Sequence, residues 1–327
     1  MKNKFNILII ILGISIGCFW SCSENFLDKE SSTSLRPDQV NTLDDVNTLL
    51  NGAYDNLTSN SYYNNFYISK NDVRGDDMLS LSSSRLGTEN RYEYEEYDSS
   101  SDMWSEPYTA IRQVNRVLEH LEKVEISDDQ EALKNHIKGQ SLTIRALAHF
   151  DLCKMYGKPY SFDKGASLGI PICLKVLDWN AKKSRNTVAE VYEQIKKDLE
   201  AAIPLLSEER EDGYLNRWGA KALLARVYLY MEENGDAFDI AEDIIQHSDY
   251  SLIPRDKYVN SWAEAFTTES IFSISNSLVD NGGNESIANY ADPDGYYILA
   301  ATKKFVDILD ENDIRKELLH NDYYTIL

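Results

Sequence analysis

The residues with the most chemical capacity lie between Tyr62 and Asp102. Asp72-Val-Arg-Gly-Asp-Asp77 places Asp72, Arg74, Asp76 and Asp77 within one short run, and Arg85, Asn90, Tyr92, Tyr94 and Tyr97 follow. Paired carboxylates can act as acid and as base or nucleophile in glycoside hydrolysis, but only at a defined separation that sequence spacing does not set. An exposed acidic loop would carry the same residues. Binding demands less geometry. Aromatic rings take the apolar C–H face of a sugar, while Asp, Asn and Arg bond to its hydroxyls. Tyr92 and Tyr94 would share one face if Arg91-Tyr-Glu-Tyr-Glu95 is a strand. The Tyr290–Tyr297 segment, with Tyr296, is a second candidate of the same composition. Peptides could use these groups too, with the acidic side chains favouring basic ligands.

Other chemistry is not written in the chain. It has no HExxH, GxSxG or P-loop, and His120, His136, His149, His247 and His320 lie far apart without metal-ligand spacing. Asp292-x-Asp294-Gly295 lacks the third ligand position and the closing Glu of a calcium loop, and reads as a turn. Nothing calls for a cofactor or a metal. Cys153 and Cys173 are too few for a disulfide framework, and Cys153, on an apolar helical pattern, reads as a buried thiol.

The N-terminus carries a different chemistry. Lys2 and Lys4 precede the apolar run Phe5–Ile16, which is too short to span a bilayer and is laid out as an export signal. It ends at Cys18 and Cys22. A cysteine in this place resembles the acylated residue of a bacterial lipoprotein, where each buried CH2 contributes about 0.8 kcal/mol of anchoring. Cys22 is favoured because polar residues begin directly after it. The expected division is a signal peptide over 1–21, a lipid-bearing polar tether over 22–41 and a domain over 42–327. The chain's net charge of −21 argues against nucleic-acid and anionic-lipid partners.

Helical periodicity fills most of the domain. Thr42–Leu57, Met103–Val124, Glu131–Tyr156 and Thr187–Leu206 each carry a one-sided apolar pattern, and Thr187-Val-Ala-Glu190 is a capping box. Arg217–Met231 and Asp236–His247 form a pair in which Leu224, Ala225, Tyr228 and Ala237 fall at tetratricopeptide positions. Such repeats are stable by stacking on neighbours, so a mainly α, tetratricopeptide-like array is expected. Tyr62–Asp102 and Ile271–Leu299 break the pattern, with Ile271–Ile274 as a strand candidate, and long irregular segments on rigid scaffolds are where binding residues gather. Arg145 and Asp151, with apolar helical neighbours, read as buried pairing residues, and Trp104, Tyr108 and Tyr228 as packing.

Five blocks follow one another along the chain. They begin with Cys22-Ser-Glu-Asn-Phe-Leu-Asp28, Trp104-x3-Tyr108-x2-Ile111-x3-Asn115-x2-Leu118 and Arg145-Ala-Leu-Ala-His-Phe-Asp-Leu152 with Met155-Tyr-Gly-Lys-Pro159 and Gly169-Ile-Pro171. Arg185-Asn-Thr-Val-Ala-Glu-Val-Tyr192 with Ile195-x2-Asp198-Leu199, and Ala220-Lys-Ala-Leu-Leu-Ala-Arg-Val-Tyr228, complete the series. Taken in order, these blocks resemble the SusD/RagB-like family of outer-membrane nutrient-binding lipoproteins of Bacteroidota. The resemblance implies a lipid-anchored protein facing the cell exterior. It would capture a glycan or peptide and deliver it, without bond breaking, to a TonB-dependent SusC-like transporter. Relatives typically continue beyond the equivalent of Leu327, so a truncated product is expected. A repeat scaffold for another protein partner, or an Asp-based glycoside hydrolase, are the alternative readings of the same residues.

Overall fold

At Leu43, Val188 and Arg217 a helix starts where a side chain satisfies one of the first free amides. The computed structural model describes residues 39–75, 77–81, 85–86, 101–178, 180–277 and 279–319. The chain divides into two units after Val40, and the described helices and strands belong to the unit that begins at Asn41. Helix α1 (Leu43–Leu57) opens on a capping box in which Thr42 Oγ1 accepts from the Asp45 N–H and the Asp45 carboxylate accepts from the Thr42 N–H. It is followed by α2 (Phe66–Arg74), α3 (Ser101–Leu121) and α4 (Glu131–Tyr156). Helix α5 (Val188–Ala202) begins with the Thr187–Glu190 capping box read from the sequence. The Asn216 side chain caps α6 (Arg217–Tyr230), which forms a hairpin with α7 (Asn234–His247). The packing order is α1 on α3, α3 on α4, α4 on α5, α5 on α6 and α6 on α7, an array of neighbouring helices. No helix among the described residues is long and apolar enough to cross a membrane.

Helix α4 is the axis of this array. From Gly139 to Cys153 every residue is buried, so this stretch of the helix has no solvent face. Gly139 permits the close approach to the end of α5, since a Cβ there would lie 2.7 Å from the Leu206 side chain. A buried helix must satisfy every polar group it carries. Ser141 and Thr143 donate back to the Ile137 and Gly139 carbonyls at 2.8 Å. Arg145 donates to both oxygens of Asp198 on α5 at 2.8 and 2.7 Å, and to Asn115 Oδ1 on α3 at 3.0 Å. One guanidinium thus joins three helices. His149 Nε2 accepts from the Cys173 N–H at 3.1 Å, which leaves the proton on Nδ1 to donate to the Arg145 carbonyl at 2.9 Å. Burial pushes the His149 pKa down to about 3, so the ring stays neutral and ties the 171–174 strap to α4.

Asp151, fully buried, accepts from the hydroxyls of Tyr62, Tyr63 and Tyr67 at 2.6 Å each, and Lys154 Nζ lies 3.0 Å from it. Burial and the Asp151 charge hold the three phenols far above their usual pKa, so they remain donors. Cys153 is a buried free thiol, pushed up to about 12 by burial, and Cys173 is also free. Trp104 packs on Tyr108 and Tyr156, and Tyr108 donates to the Pro171 carbonyl.

Two expectations need correction. The stretch from Tyr62 is not irregular throughout, because Phe66–Arg74 is helical and carries Asp72 and Arg74. Ile271–Ile274 is not a strand: the backbone bends at Ile271 and Phe272, and the segment joins no ladder among the described residues. The ladder is instead β1 (Met78–Ser80) against β2 (Leu299–Ala301), antiparallel, with Met78 opposite Ala301 and Ser80 opposite Leu299. Strands of three residues have no periodicity to read.

Replacing Arg145 by Met should leave the Asp198 charge buried without compensation and lower the unfolding free energy by about 3–5 kcal/mol in urea titration. The double variant Arg145→Met/Asp198→Leu should lose much less, since neither charge is then stranded.

Candidate functional site

The β1–β2 ladder brings the two sequence candidates together. Its bonds continue beyond the strands, from the Leu81 N–H to the Ile298 carbonyl (2.8 Å) and from the Thr302 N–H to the Asp77 carbonyl (2.9 Å). Beneath it a small core forms from Val73, Leu86, Tyr290, Ile298 and Leu299, with Phe66, Met78 and Ile287 packed against it. Residues from α2, the 85–86 turn and the 287–299 segment therefore share one interior. Arg85 and Tyr296 meet on its surface.

The Arg85 guanidinium lies over the Tyr296 ring, 4.5 Å from its centroid. Its Nη1 donates to both Glu285 carboxylate oxygens at 2.9 and 2.8 Å and to the Tyr290 hydroxyl at 2.8 Å. The Tyr290 hydroxyl in turn donates to Glu285 at 2.7 Å. Tyr290 is buried, whereas Tyr296 is 42% exposed and Arg85 partly so. The hydrogen bonds from Tyr290 and Arg85 hold the Glu285 carboxyl below its ordinary pKa, while burial raises that of Tyr290. The result is a charged, oriented network with an aromatic ring at its open side, able to offer stacking and directed hydrogen bonds together.

The backbone around it is fixed from several sides. Asn65 Nδ2 donates to the Glu285 carbonyl at 2.6 Å, and the Ile287 N–H to the Asn64 carbonyl at 3.1 Å. The Tyr296 N–H donates to the Asn289 carbonyl at 2.9 Å, across an approach so close that a Cβ on Gly295 would lie 2.5 Å from that oxygen. Leu86 and Tyr297, each directly following a site residue, have φ of 53° and 46°. Left-handed backbone at non-glycine residues costs about 1 kcal/mol or more and persists only where surroundings enforce it.

The other predicted residues distribute differently. Asp72 lies on α2 and lines a separate cavity of about 430 Å³ with Tyr67, Asn71, Lys154 and Tyr230. Desolvation and the neighbouring Asp77 raise its carboxyl pKa. Arg74 ends the same helix and Asp77 leads into β1. Cys22, Asp76, Asn90, Tyr92, Tyr94 and Tyr97 lie outside the described residues. Tyr290 opens the second candidate segment, but Glu285 does not stand out by type, because a lone Glu after Asn281-Gly-Gly-Asn284 looks like any turn residue. Among the described residues no group of three or more His, Cys, Asp or Glu is placed to hold a metal ion.

A family model described as SusD-like, "starch-binding associating with outer membrane", matches residues 25–229. The chain belongs to the SusD-like family. A solved structure from Bacteroides vulgatus ATCC 8482, of a candidate sugar-binding protein, is 36% identical with a TM-score of 0.82, covering 86% of this chain and 65% of that one. A SusD superfamily structure from Bacteroides thetaiotaomicron VPI-5482 is 35% identical with a TM-score of 0.78, covering 84% and 63%. A SusD-like protein of Bacteroides ovatus is 23% identical over 238 residues, which are 70% of this chain and 39% of that protein. The SusD-like chain thus spans less than two thirds of the length of these relatives. Its mainly helical fold matches that of SusD superfamily structures.

A carboxyl whose pKa is depressed on folding stabilises above its unfolded pKa and loses that contribution as pH falls through the folded one. In carbon-detected NMR titration the Glu285 carboxyl should therefore titrate below its ordinary value of 4.5. In Arg85→Met its midpoint should move up.

Proposed function

We propose that this SusD-like chain captures a glycan at the bacterial surface and delivers it to a partner TonB-dependent SusC-like transporter, without breaking a bond. The observation that carries the reading is the exposed Tyr296 ring beside an Arg85 guanidinium that Glu285 and Tyr290 hold in place. A sugar ring laid on Tyr296 would set its hydroxyls against fixed charged partners, at little cost in side-chain ordering. Asn90, Tyr92, Tyr94 and Tyr97 follow Arg85 closely in the chain and are proposed to extend this face. The family's description and the sugar-binding name of a related structure support the ligand class. Asp72, Arg74, Asp76 and Asp77 are assigned a secondary part, since Asp72 opens on another cavity.

Lipid on Cys22 and the tether over 22–41 would hold the domain at the outer membrane while leaving it free to swing over a transporter. Facing the cell exterior, as the family resemblance implies, the anchored domain would meet polymeric ligands.

Titration calorimetry of the full chain against soluble starch, a β-glucan and a fructan should find one binding glycan. Arg85→Ala and Tyr296→Ala should each weaken it at least tenfold, about 1.4 kcal/mol, with no shortened products released. Unchanged affinity in both variants would refute the assignment of this face.

A further inference from the structure

The Arg85–Tyr296 face presents a cation that already has its anion. Arg85 Nη1 donates to both Glu285 oxygens and to the Tyr290 hydroxyl, which donates in turn to the same carboxylate. These bonds hold the Glu285 carboxyl below its ordinary pKa, so it is charged at neutral pH. Glu285 is also fixed by its backbone. Its carbonyl accepts from the fully buried Asn65 side chain, and its N–H donates to the Gly282 carbonyl at 3.2 Å. The guanidinium is held as firmly, over the Tyr296 ring at 4.5 Å and the Tyr290 ring at 5.7 Å. The pair as a unit carries no net charge.

The turn that leads into Tyr296 adds acid and no base. Asp292 and Asp294 are exposed, and among the described residues neither pairs with a basic side chain. The Asp292 carboxylate accepts instead from the Asp294 N–H at 2.9 Å.

We propose that this face selects uncharged glycans and turns away those that carry carboxylate or sulfate, with Glu285 as the residue that sets the preference. The selectivity rests on the glycan reading above and adds to it the class of glycan. A paired guanidinium and carboxylate present donors and acceptors side by side, and a sugar hydroxyl is both at once. An anionic sugar must give up hydration to reach Arg85. The attraction it would gain there is offset by Glu285, whose oxygens already lie at hydrogen-bond distance from the same nitrogen. A lone arginine on the same ring would do the opposite and bind carboxylate in bidentate geometry. Repulsion built in against the wrong ligand is how such discrimination is obtained. The chain's net charge of −21 acts in the same sense at longer range. That field would draw in a cationic glycan, but such a ligand would find the Glu285 charge already taken by Arg85.

The test uses the full chain and matched polymers that differ in charge. Soluble starch, a β-glucan and a fructan are each compared, in titration calorimetry, with the same polymer partly oxidised to carboxylate. The methyl ester of each oxidised polymer, uncharged again, serves as the third form. Whichever uncharged polymer binds, its carboxylate form should bind at least tenfold more weakly, and the ester should recover most of that loss. In Glu285→Gln the gap between uncharged and carboxylate forms should narrow at least threefold. The ester comparison on the parent chain decides even where the variant does not fold. Equal or tighter binding of a carboxylate polymer by the parent chain, or an unchanged gap in folded Glu285→Gln, would overturn the selectivity and leave the glycan site standing. Binding of no polymer in any form would remove the glycan reading itself, and the selectivity with it.

Discussion

Placing the Asp151 carboxylate out of reach of water would be strongly unfavourable without compensation. Three tyrosyl hydroxyls and a lysine supply it. Those tyrosines are not spread through the fold. Tyr62, Tyr63 and Tyr67 lie just before and at the start of α2, with their rings packed on one another. The carboxylate therefore fixes α2 on the axis of the helical array. Phe66 and Val73 of α2 reach the small core that carries Tyr290, and Tyr290 in turn holds Arg85. A chain of contacts thus runs from the centre of α4 to the open face of the candidate site.

Around this anchor the array supplies stiffness. Arg145 joins α3, α4 and α5 through charged hydrogen bonds in a site closed to solvent, and His149 straps the 171–174 segment to the same helix. A rigid frame of this kind can sustain local backbone cost, and it does so beside the site, at Leu86 and Tyr297. The arrangement favours preorganisation: the guanidinium and the ring are positioned before any ligand arrives.

The helices were legible because their signals are local. One-sided spacing marked α1, α3 and α5; it also marked α4, although that helix is buried on every side from Gly139 to Cys153 rather than on one. The Thr187–Glu190 capping box sits where the pattern placed it, and the repeat positions Leu224, Ala225, Tyr228 and Ala237 fall on the α6–α7 hairpin. Helix α2 escaped because it buries only Ser69 and Val73, too few to show a stripe. The ladder escaped because its two short strands come from distant parts of the chain. Arg85 and Tyr296 were marked by residue type alone, as members of separate segments. Their meeting, and the roles of Glu285 and Tyr290, depend on long-range pairing that no local pattern encodes. Asp72 shows the converse: its neighbours in sequence suggested a shared site with Arg85, but helical geometry turns it towards Tyr67 and Lys154.

Hydrogen exchange on Asp151→Asn tests most directly whether this buried carboxylate positions the site. The account predicts faster exchange in α2 and at the Leu81 and Ile298 amides, with α5 protected as in the parent chain. Parent-like protection of α2 and the ladder, or an equal loss everywhere, would contradict it.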